Sequence, residues 1–405
     1  MPALTTSAAS LAAQPAVKAC LEWFRRERAW INEQHVKLCR IPAATFFEQK
    51  RGEWMAEQFR ALGWDAKIDR GGNTIATPKG CGDGPRVALT AHLDTVFAPH
   101  SNDDIKVAND GRFLGPGVSD NGAGLAALLA LAAAWNAAPP LESPVAWPML
   151  VANVGEEGEG NLNGMRYFCR QANAAKLRAL LVLDGPDAEH ITSRALASRR
   201  FEIIITGPGG HSWRDFGVAN PVHAIARAIA LFTDKAVEVT FGDPRTTFNF
   251  GIIEGGSSIN SIPSEARTKI DLRSEDGARI DRLVAQLTSS VERAVELENA
   301  LSNGGRATVR LREIGSRPSG ALPDDAPILE YVRTVDAHLG IRSYLDCSST
   351  DANVPLSMGL PALSIGAGGL GGGAHTHGEW YSPEGRETGL QRILLLLCLL
   401  LSAES

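Results

Sequence analysis

Residues 87–94 read VALTAHLD, an uninterrupted apolar run that ends in an imidazole and a carboxylate. A short apolar run of this kind predicts a strand that is buried on both faces of a sheet. In sheets whose strands alternate with helices, functional groups lie just beyond the carboxyl ends of the strands. We therefore expect His92 and Asp94 to lie at a functional edge of a buried sheet.

Two further segments repeat this arrangement. Residues 145–153 predict a strand that ends just before the pair Glu156-Glu157, and residues 180–183 predict a strand that ends at Asp184. An alanine- and leucine-rich helix, stopped by two prolines, lies between the first two strands. Buried strands that alternate with helices predict an α/β fold with a parallel or mixed sheet.

The pattern changes after the third strand, which indicates a second domain. From there the segments predict the order strand, helix, strand, strand, helix, strand, which is typical of a small α+β domain. Residues 315–327 predict a linker, and a buried strand at 361–365 returns to the α/β pattern. A chain of 405 residues exceeds what one hydrophobic core usually supports. We predict one α/β domain formed by residues 1–194 and 317–405, with residues 195–316 inserted into it.

The composition excludes several classes of protein. The formal net charge is −6, whereas a nucleic-acid-binding surface would be basic and clustered. The six cysteines are scattered, without a Cys-x-x-Cys pair, and predict free thiols. The apolar run at 393–401 is far shorter than the roughly 20 residues that span a bilayer, so it predicts a buried helix. The first residues lack the pattern of a signal peptide. We expect a cytoplasmic protein without nucleic-acid or membrane partners.

Carboxylates and imidazoles at strand ends are groups that hold divalent metal ions. A centre of two ions needs a carboxylate that bridges them, further ligands on each ion and a base near the shared water. The candidate residues are His92, Asp94, Asp120, Glu156, Glu157, Asp184 and His375. The spacing His92-x-Asp94 allows one residue to bind metal while the other orients it. The pattern predicts a dinuclear metallohydrolase.

Four motifs carry a resemblance to a known family. They are HLDTV at 92–96, DNGAG at 120–124, GEEG at 155–158 and the late His375. Together they resemble the aminoacylase, carboxypeptidase G and peptidase T family of dinuclear zinc hydrolases, and the resemblance covers nearly the whole chain. It implies a zinc-exopeptidase-like catalytic domain with a mixed sheet, interrupted by an α+β (βαββαβ) domain that serves as a lid and dimerises.

The resemblance implies two divalent metal ions per subunit. One ion would be held by His92, Asp120 and Asp184, and the other by Asp120, Glu157 and His375. The ions implied are Zn²⁺, with Co²⁺ or Mn²⁺ as alternatives.

Two residues beside these ligands have implied roles of their own. Asp94 would orient a histidine ligand, and Glu156 would be the general base that takes a proton from the bridging water. A cis peptide bond is implied after the bridging Asp120. In the family the late histidine ligand lies four residues before a glutamate, a spacing that selects His375 over His377.

The inserted domain carries three further matches. His211, in the segment GGHS, matches a lid histidine that reaches into the partner subunit's site to stabilise the oxyanion. Asn260 and Arg273 match lid positions that bind the carboxylate of the substrate. The guanidinium group of arginine suits this role because it can donate two parallel hydrogen bonds to a carboxylate. The alternative interpretations are a loop residue for His211, a turn residue for Asn260 and a salt-bridged strand residue for Arg273. The resemblance implies a homodimer formed through this domain.

The favoured function is hydrolysis of an amide bond in a small peptide, by an exopeptidase or a dipeptidase. Within the family, Asp at the position of Asp184 accompanies peptidases, whereas Glu accompanies enzymes that remove N-acyl groups. An N-acyl-amino-acid amidohydrolase is the alternative within the hydrolases, with an N-acyl amino acid as substrate. A non-catalytic binding protein with the same fold is the alternative from another class, although the sequence has lost no ligand or base position.

Overall fold

The computed structural model describes residues 7–141, 144–171 and 176–403. The α-helices are, in chain order, α1 Ala8–Ala12, α2 Pro15–Arg26, α3 Arg28–Cys39, α4 Gln49–Ala61, α5 Gly122–Ala137, α6 Asn163–Arg170, α7 Pro221–Thr240, α8 Gly277–Leu301, α9 Pro327–Leu339, α10 Asn353–Ser357 and α11 Arg386–Ser402.

The β-strands are short in the first half of the chain and longest in the middle. In chain order they are β1 Trp64–Ile68, β2 Thr74–Pro78, β3 Arg86–His92, β4 Lys106–Val107, β5 Phe113–Leu114, β6 Trp147–Asn153, β7 Leu177–Leu183, β8 His190–Ala195, β9 Ala197–Thr206, β10 Gly210–His211, β11 Thr246–Gly255, β12 Ser261–Ile262, β13 Glu265–Ser274, β14 Thr308–Arg317, β15 Gly320–Ala321, β16 Tyr344–Ser348, β17 Ala362–Ile365, β18 Leu370–Gly372 and β19 Trp380–Ser382.

The chain divides into two compact units. The core unit comprises the residues up to Ala195 and from Gly320 onwards, and the inserted unit comprises Leu196–Ser319.

A mixed nine-stranded sheet forms the centre of the core unit, in the order β1-β2-β6-β3-β7-β17-β8-β15, with β16 also paired to β8. Strand β3 runs parallel to both neighbours, β6 and β7, and its register pairs His92 with Asn153. All seven residues of β3 are buried, as its apolar run predicts. The carboxyl ends of β3, β6 and β7 therefore meet at one edge of the sheet. The predicted α/β class with a mixed sheet is confirmed.

Helices α5 and α11 cover this sheet with apolar residues. Helix α5 begins next to the sheet edge, where the Asn121 side chain caps it by accepting the N–H of Gly124 at 3.1 Å. Helix α11 contains the apolar run 393–401, and that run is buried throughout. Among the residues that the structure describes, no helix combines the length and the apolar character that crossing a bilayer requires.

The amino-terminal helices differ from the sequence prediction. The sequence pattern predicts one helix over 17–31 and another over 44–62, but the helical conformation is interrupted at Glu27, between α2 and α3, and α4 begins only at Gln49. Ahead of α4, the N–H of Phe46 donates to the carboxylate of Glu48 at 3.0 Å. A side chain that accepts a hydrogen bond from its own turn competes with helix formation, so the helix starts after this turn.

The inserted unit is an antiparallel sheet in the order β11-β13-β9-β14 with helices α7 and α8. Its apolar core joins Phe201 and Ile203 of β9 to Phe232 of α7 and to Leu283 and Leu287 of α8. Along the chain its main elements follow as β9, α7, β11, β13, α8 and β14. This is the βαββαβ order that the sequence predicted.

Candidate metal centre

The structure brings six of the seven candidate residues into three overlapping clusters at the carboxyl edge of the sheet. Within each cluster the ligand atoms lie within 4.8 Å of one another. The clusters are His92 with Asp120 and Asp184, Asp120 with Glu157 and His375, and His92 with Glu156 and Glu157. Asp120 therefore belongs to both clusters that the resemblance assigns to metal. The assignment of individual ligands stays a prediction.

His92 is the last residue of β3, and its side chain is 2% exposed. Its Nδ1 lies 2.9 Å from the backbone carbonyl oxygen of Asp94, to which it donates in the neutral tautomer that leaves Nε2 as an acceptor. Nε2 lies 3.0 Å from Asp120 Oδ1 and 3.8 Å from Asp184 Oδ1. Burial alone would lower the pKa of His92, but the surrounding carboxylates raise it well above its ordinary value. The imidazole is thus held in a strongly negative environment.

The carboxylate of Asp94 is fully buried and organises the Glu156-Glu157 segment. Its Oδ1 accepts the N–H of Glu156 at 3.0 Å, and its Oδ2 accepts the N–H of Glu157 at 2.8 Å. The hydroxyl of Thr45 donates to Oδ2 at 3.0 Å. Burial acts to raise the pKa of Asp94, but His92 and the two amides hold it below its usual range. Asp94 therefore contacts His92 and the backbone of both glutamates, and its role in orienting the histidine stays a prediction.

Asp120 turns its two carboxylate oxygens towards different imidazoles. Oδ1 lies 3.0 Å from His92 Nε2, and Oδ2 lies 3.1 Å from His375 Nε2. The peptide bond that follows, to Asn121, is cis, as the resemblance implied.

Glu379 holds the loop that carries Asp120, a role that the sequence did not reveal. Its carboxylate accepts the N–H groups of Gly117 at 2.8 Å, Ser119 at 2.7 Å and Asp120 at 2.9 Å. Burial raises the pKa of Glu379, while the three amide donors act to lower it. The spacing from His375 to Glu379 is the sequence signal that involves this glutamate, and it indicates only which histidine is the ligand, not the contact with the Asp120 loop.

His375 completes the second cluster from the carboxyl-terminal part of the core unit. Its Nε2 lies 2.7 Å from Glu157 Oε1, and the side chain is 53% exposed. Hydrogen bonds to Asp120 and Glu157 raise the pKa of His375 to about 10. The neighbouring His377 instead stacks on Phe97, with ring centroids 4.5 Å apart.

A second residue that sequence reasoning missed is Asp351, which is 1% exposed. Asn153, at the end of β6, donates to its Oδ2, and within the described chain its Oδ1 has no hydrogen-bond partner. Burial raises the pKa of Asp351 to about 7, and the charges of His92 and Asp184 also act on it. The buried Asp351 carboxyl is therefore electrostatically part of the centre.

The three predicted lid residues lie in the inserted unit, in local contacts of their own. His211 pairs with Ser261 between β10 and β12, and its Nδ1 accepts the N–H of Trp213 at 3.2 Å. The side-chain oxygen of Asn260 accepts the Ser258 hydroxyl. Arg273 donates to Asp271 at 2.6 Å, as its alternative interpretation predicts. The substrate and oxyanion roles of these residues stay predictions.

Two family models match parts of the chain. Residues 196–297 match the model described as a peptidase dimerisation domain, and residues 73–201 match the model of peptidase family M28. The first match lies within the inserted unit, and the second includes strands β3, β6 and β7, which lead to the clusters. Fold, site and matched domains together define the chain as a hydrolase of the metallopeptidase class.

Two curated relatives are 26% and 27% identical to this chain over the aligned residues. An uncharacterised protein of Bacillus subtilis, YqjE, is 26% identical over 352 residues, which are 83% of this chain and 89% of that protein. A probable carboxypeptidase of Aspergillus terreus is 27% identical over 266 residues, which are 59% of this chain and 59% of that protein.

Solved structures share the fold over almost the full length. A tripeptidase from Staphylococcus aureus superposes with a TM-score of 0.72 at 23% identity, covering 91% of this chain and 97% of that chain. A dinuclear metal-binding peptidase of the M20 family, from Bacillus subtilis, superposes with a TM-score of 0.66 at 15% identity, covering 93% of this chain and 99% of that chain. The predicted resemblance to dinuclear metallopeptidases with an inserted dimerisation domain is confirmed.

Proposed function

We propose that this protein hydrolyses an amide bond in small peptides, as an exopeptidase or a dipeptidase, at a centre of two divalent metal ions. The observation that carries the proposal is the Asp120 carboxylate, whose two oxygens lie 3.0 Å from His92 Nε2 and 3.1 Å from His375 Nε2. A carboxylate with one oxygen towards each imidazole fits a bridge between two ions.

The donor set fits zinc. Each of the two clusters that share Asp120 offers one imidazole nitrogen together with carboxylate oxygens. Such mixed nitrogen and oxygen ligands suit Zn²⁺, and Co²⁺ or Mn²⁺ are the alternatives. Hydrogen bonds behind the candidate ligands support the set: the backbone carbonyl of Asp94 accepts from His92, and the Glu379 carboxylate accepts the N–H of Asp120.

Glu156 is the residue to which we assign proton transfer. When bound, the two ions supply Lewis acidity and lower the pKa of a shared water. Glu156 is 5% exposed and lies in one cluster with His92 and Glu157, so its carboxylate lies beside residues that would hold the ions. It accepts a proton there and returns it to the leaving amine. The Asp94 carboxylate fixes the backbone from which both glutamates project.

We further propose that the protein is a homodimer formed through the inserted unit, with His211 contributed to the partner's site. Strand β11 is a terminal strand of its sheet, and its Ile252 and Ile253 are 44% and 62% exposed. An edge strand of ten residues with exposed apolar side chains can pair with a strand of another chain. Within this proposal, Asn260 and Arg273 bind the carboxylate of the substrate.

The proposal is tested by replacing Glu156 with Gln, with Glu159→Gln as the matched control. Removing a general acid–base group should lower kcat by a factor on the order of 10²–10⁴, while two ions per subunit remain bound. Glu159 lies in the adjacent 3₁₀ turn outside the three clusters, and its variant should keep its activity. Metal content is measured on the same samples by atomic emission. Full turnover by Glu156→Gln protein would remove the mechanism.

A substrate panel separates the peptidase from the deacylase. Purified protein loaded with Zn²⁺ or Co²⁺ is assayed against dipeptides, tripeptides and N-acetyl amino acids. The short carboxylate of Asp184, and the tripeptidase and probable carboxypeptidase among the similar proteins, favour the peptides. Hydrolysis of acyl substrates alone would favour the amidohydrolase. Fewer than one ion per subunit after reconstitution would favour the binding protein.

A further inference from the structure

Four large apolar side chains are exposed in two segments beside the candidate metal centre. Phe46 and Phe47 are 60% and 76% exposed, and Val96 and Phe97 are 42% and 37% exposed. We call these four residues the aromatic rim. Aromatic side chains bury large apolar areas when they are covered, and a contiguous exposed apolar surface marks an interaction site.

The two segments of the rim run side by side and are attached to the centre. Ala44 and Thr95 form a parallel bridge, and the N–H of Thr95 donates to the carbonyl of Ala43 at 2.9 Å. The hydroxyl of Thr45, next to Phe46, donates to the buried carboxylate of Asp94 at 3.0 Å. One segment therefore follows Asp94 along the chain, and the other is hydrogen-bonded to it through Thr45.

The rim also contacts the segment that carries His375. The ring of Phe97 stacks on the ring of His377, with centroids 4.5 Å apart and planes inclined by 34°. His377 lies two residues from His375, the last predicted ligand. The apolar surface thus borders both the Asp94 side and the His375 side of the clusters.

The backbone of the rim is strained and is held in place. Phe46 has a φ of 74°, a left-handed conformation that bulky side chains rarely adopt. Glu48, 6% exposed, accepts the N–H of Phe46 at 3.0 Å and the N–H of Gly155 at 3.1 Å with the same oxygen. One buried carboxylate thereby ties the rim to the segment that carries Glu156. Strain that surrounding contacts maintain is a feature of functional positions.

We propose that the aromatic rim binds an apolar side chain of the peptide substrate next to the scissile amide bond. The inference rests on the proposed peptidase function, and it narrows the substrate to peptides with a large aliphatic or aromatic residue. In this proposal the clusters bind the charged and polar atoms of the substrate. The rim offers apolar surface to its side chain, and two rim residues, Val96 and Phe97, follow Asp94 directly along the chain after Thr95. Covering that surface removes apolar area from water on both partners, which favours such a substrate over a small one.

The experiment compares pairs of dipeptides that differ in one side chain, such as Leu-Gly with Ala-Gly and Gly-Leu with Gly-Ala. In one of the two pairs, wild-type protein should show a preference for leucine of about tenfold or more in kcat/KM, because differences of one or a few methylenes are typically worth about 10- to 200-fold. In Phe97→Ala and Phe46→Gly proteins that preference should fall to about twofold, because the leucine side chain loses the apolar surface that covers it.

Several variants separate this role from a structural one. Glycine readily adopts a left-handed φ, so Phe46→Gly should keep the wild-type Tm or raise it. Phe97→Leu should retain most of the preference because it keeps the apolar surface. The control is Met358→Ala: Met358 is 49% exposed but precedes β17, at the sheet edge opposite the clusters, and its variant should keep the full preference.

Each outcome decides one question. If metal-loaded protein hydrolyses no peptide, the proposed function fails. If it hydrolyses peptides without a preference, or if the rim variants lower both rates of a pair equally, the function stands and the rim proposal is overturned. If the rim variants dissociate a dimer in light scattering and leave the preference intact, the rim is covered by a second copy of the chain, and the proposal is likewise overturned.

Discussion

The core unit and the inserted unit differ in their backbone angles and in the burial of their charged side chains. Among the residues that the structure describes, every non-glycine residue with a left-handed φ lies in the core unit; they are Phe46, Asn161, Leu162, Asp187 and His375. The core unit also contains the fully buried guanidinium groups of Arg51 and Arg392. In the inserted unit, several ion pairs are largely exposed, such as Arg293 with Glu296.

This difference shows where the chain departs from its local preferences. Buried charges and unfavourable dihedral angles destabilise a fold, and they persist where a functional geometry requires them. In the core unit two of these features lie at the clusters or beside them: Phe46 lies on the rim, and His375 is itself a predicted ligand. The inserted unit has an apolar core, buries a few charged residues such as Glu202 and Glu298, and leaves Trp213 88% exposed. We therefore expect the two units to respond differently to the same perturbation.

Removing the metal ions should give the largest difference between the units. Each bound ion would stabilise the folded state by about 4 kcal/mol at a free concentration a thousandfold above its Kd. Without the ions, the carboxylates of Asp120, Glu157 and Asp184 repel one another. Hydrogen exchange followed by mass spectrometry should show faster exchange in peptides covering β3 and α5, and no change in those covering β13. Equal acceleration in both units, or none, would contradict a metal centre confined to the core unit.

Replacing a buried arginine should have the next largest effect. Arg392 is fully buried and donates to both oxygens of Asp336, at 2.7 and 2.8 Å. Arg392→Ala leaves a buried carboxylate unpaired and should lower the free energy of unfolding of the core unit by about 3–5 kcal/mol. Arg293→Ala, which breaks an exposed pair in the inserted unit, should cost no more than about 1 kcal/mol. Urea denaturation of the two variants measures both values. Similar values would show that the units do not differ in this respect.

The smallest effect is expected from a helix cap in the inserted unit. The Asp276 carboxylate caps α8 by accepting the N–H of Ala278 at 2.8 Å. Asp276→Ala should lower the free energy of unfolding by about 1 kcal/mol, the usual contribution of such a cap. Asp281→Ala, at an exposed position on the same helix, is the control and should change it by less than about 0.5 kcal/mol. A loss at Asp276 as large as that expected for Arg392→Ala would remove the difference between the units.

The strands that lead to the centre were predictable because burial on both faces leaves a continuous apolar signal. The run at 87–91 became β3, and the run at 180–183 became the end of β7. The polar residues that follow such runs also stand out, which is why His92 and Asp184 could be singled out without a structure. The inserted unit was predictable for a similar reason, since its strands and helices keep clear periodicities.

The residues that support the ligands were not predictable, because their roles arise from contacts between distant parts of the chain. Glu379 accepts three N–H groups from a loop about 260 positions earlier. The residues around Glu379 in the sequence do not indicate this long-range contact. Asp351 becomes unusual only through burial beside Asn153 and the centre. The sequence pattern predicts helix at Phe46, but the chain forms a turn there. The Glu48 side chain stabilises that turn by accepting the N–H of Phe46, and the sequence pattern does not show this contact.

The order of the chain has a consequence for biosynthesis. His92, Asp120, Glu157 and Asp184 precede the inserted unit, whereas His375 and Glu379 follow it. Domains generally fold as units while the ribosome is still adding residues. The inserted unit is complete at Ser319, so it can fold on the nascent chain before His375 has emerged. The proposed centre can then form only after both sequence segments of the core unit have been synthesised.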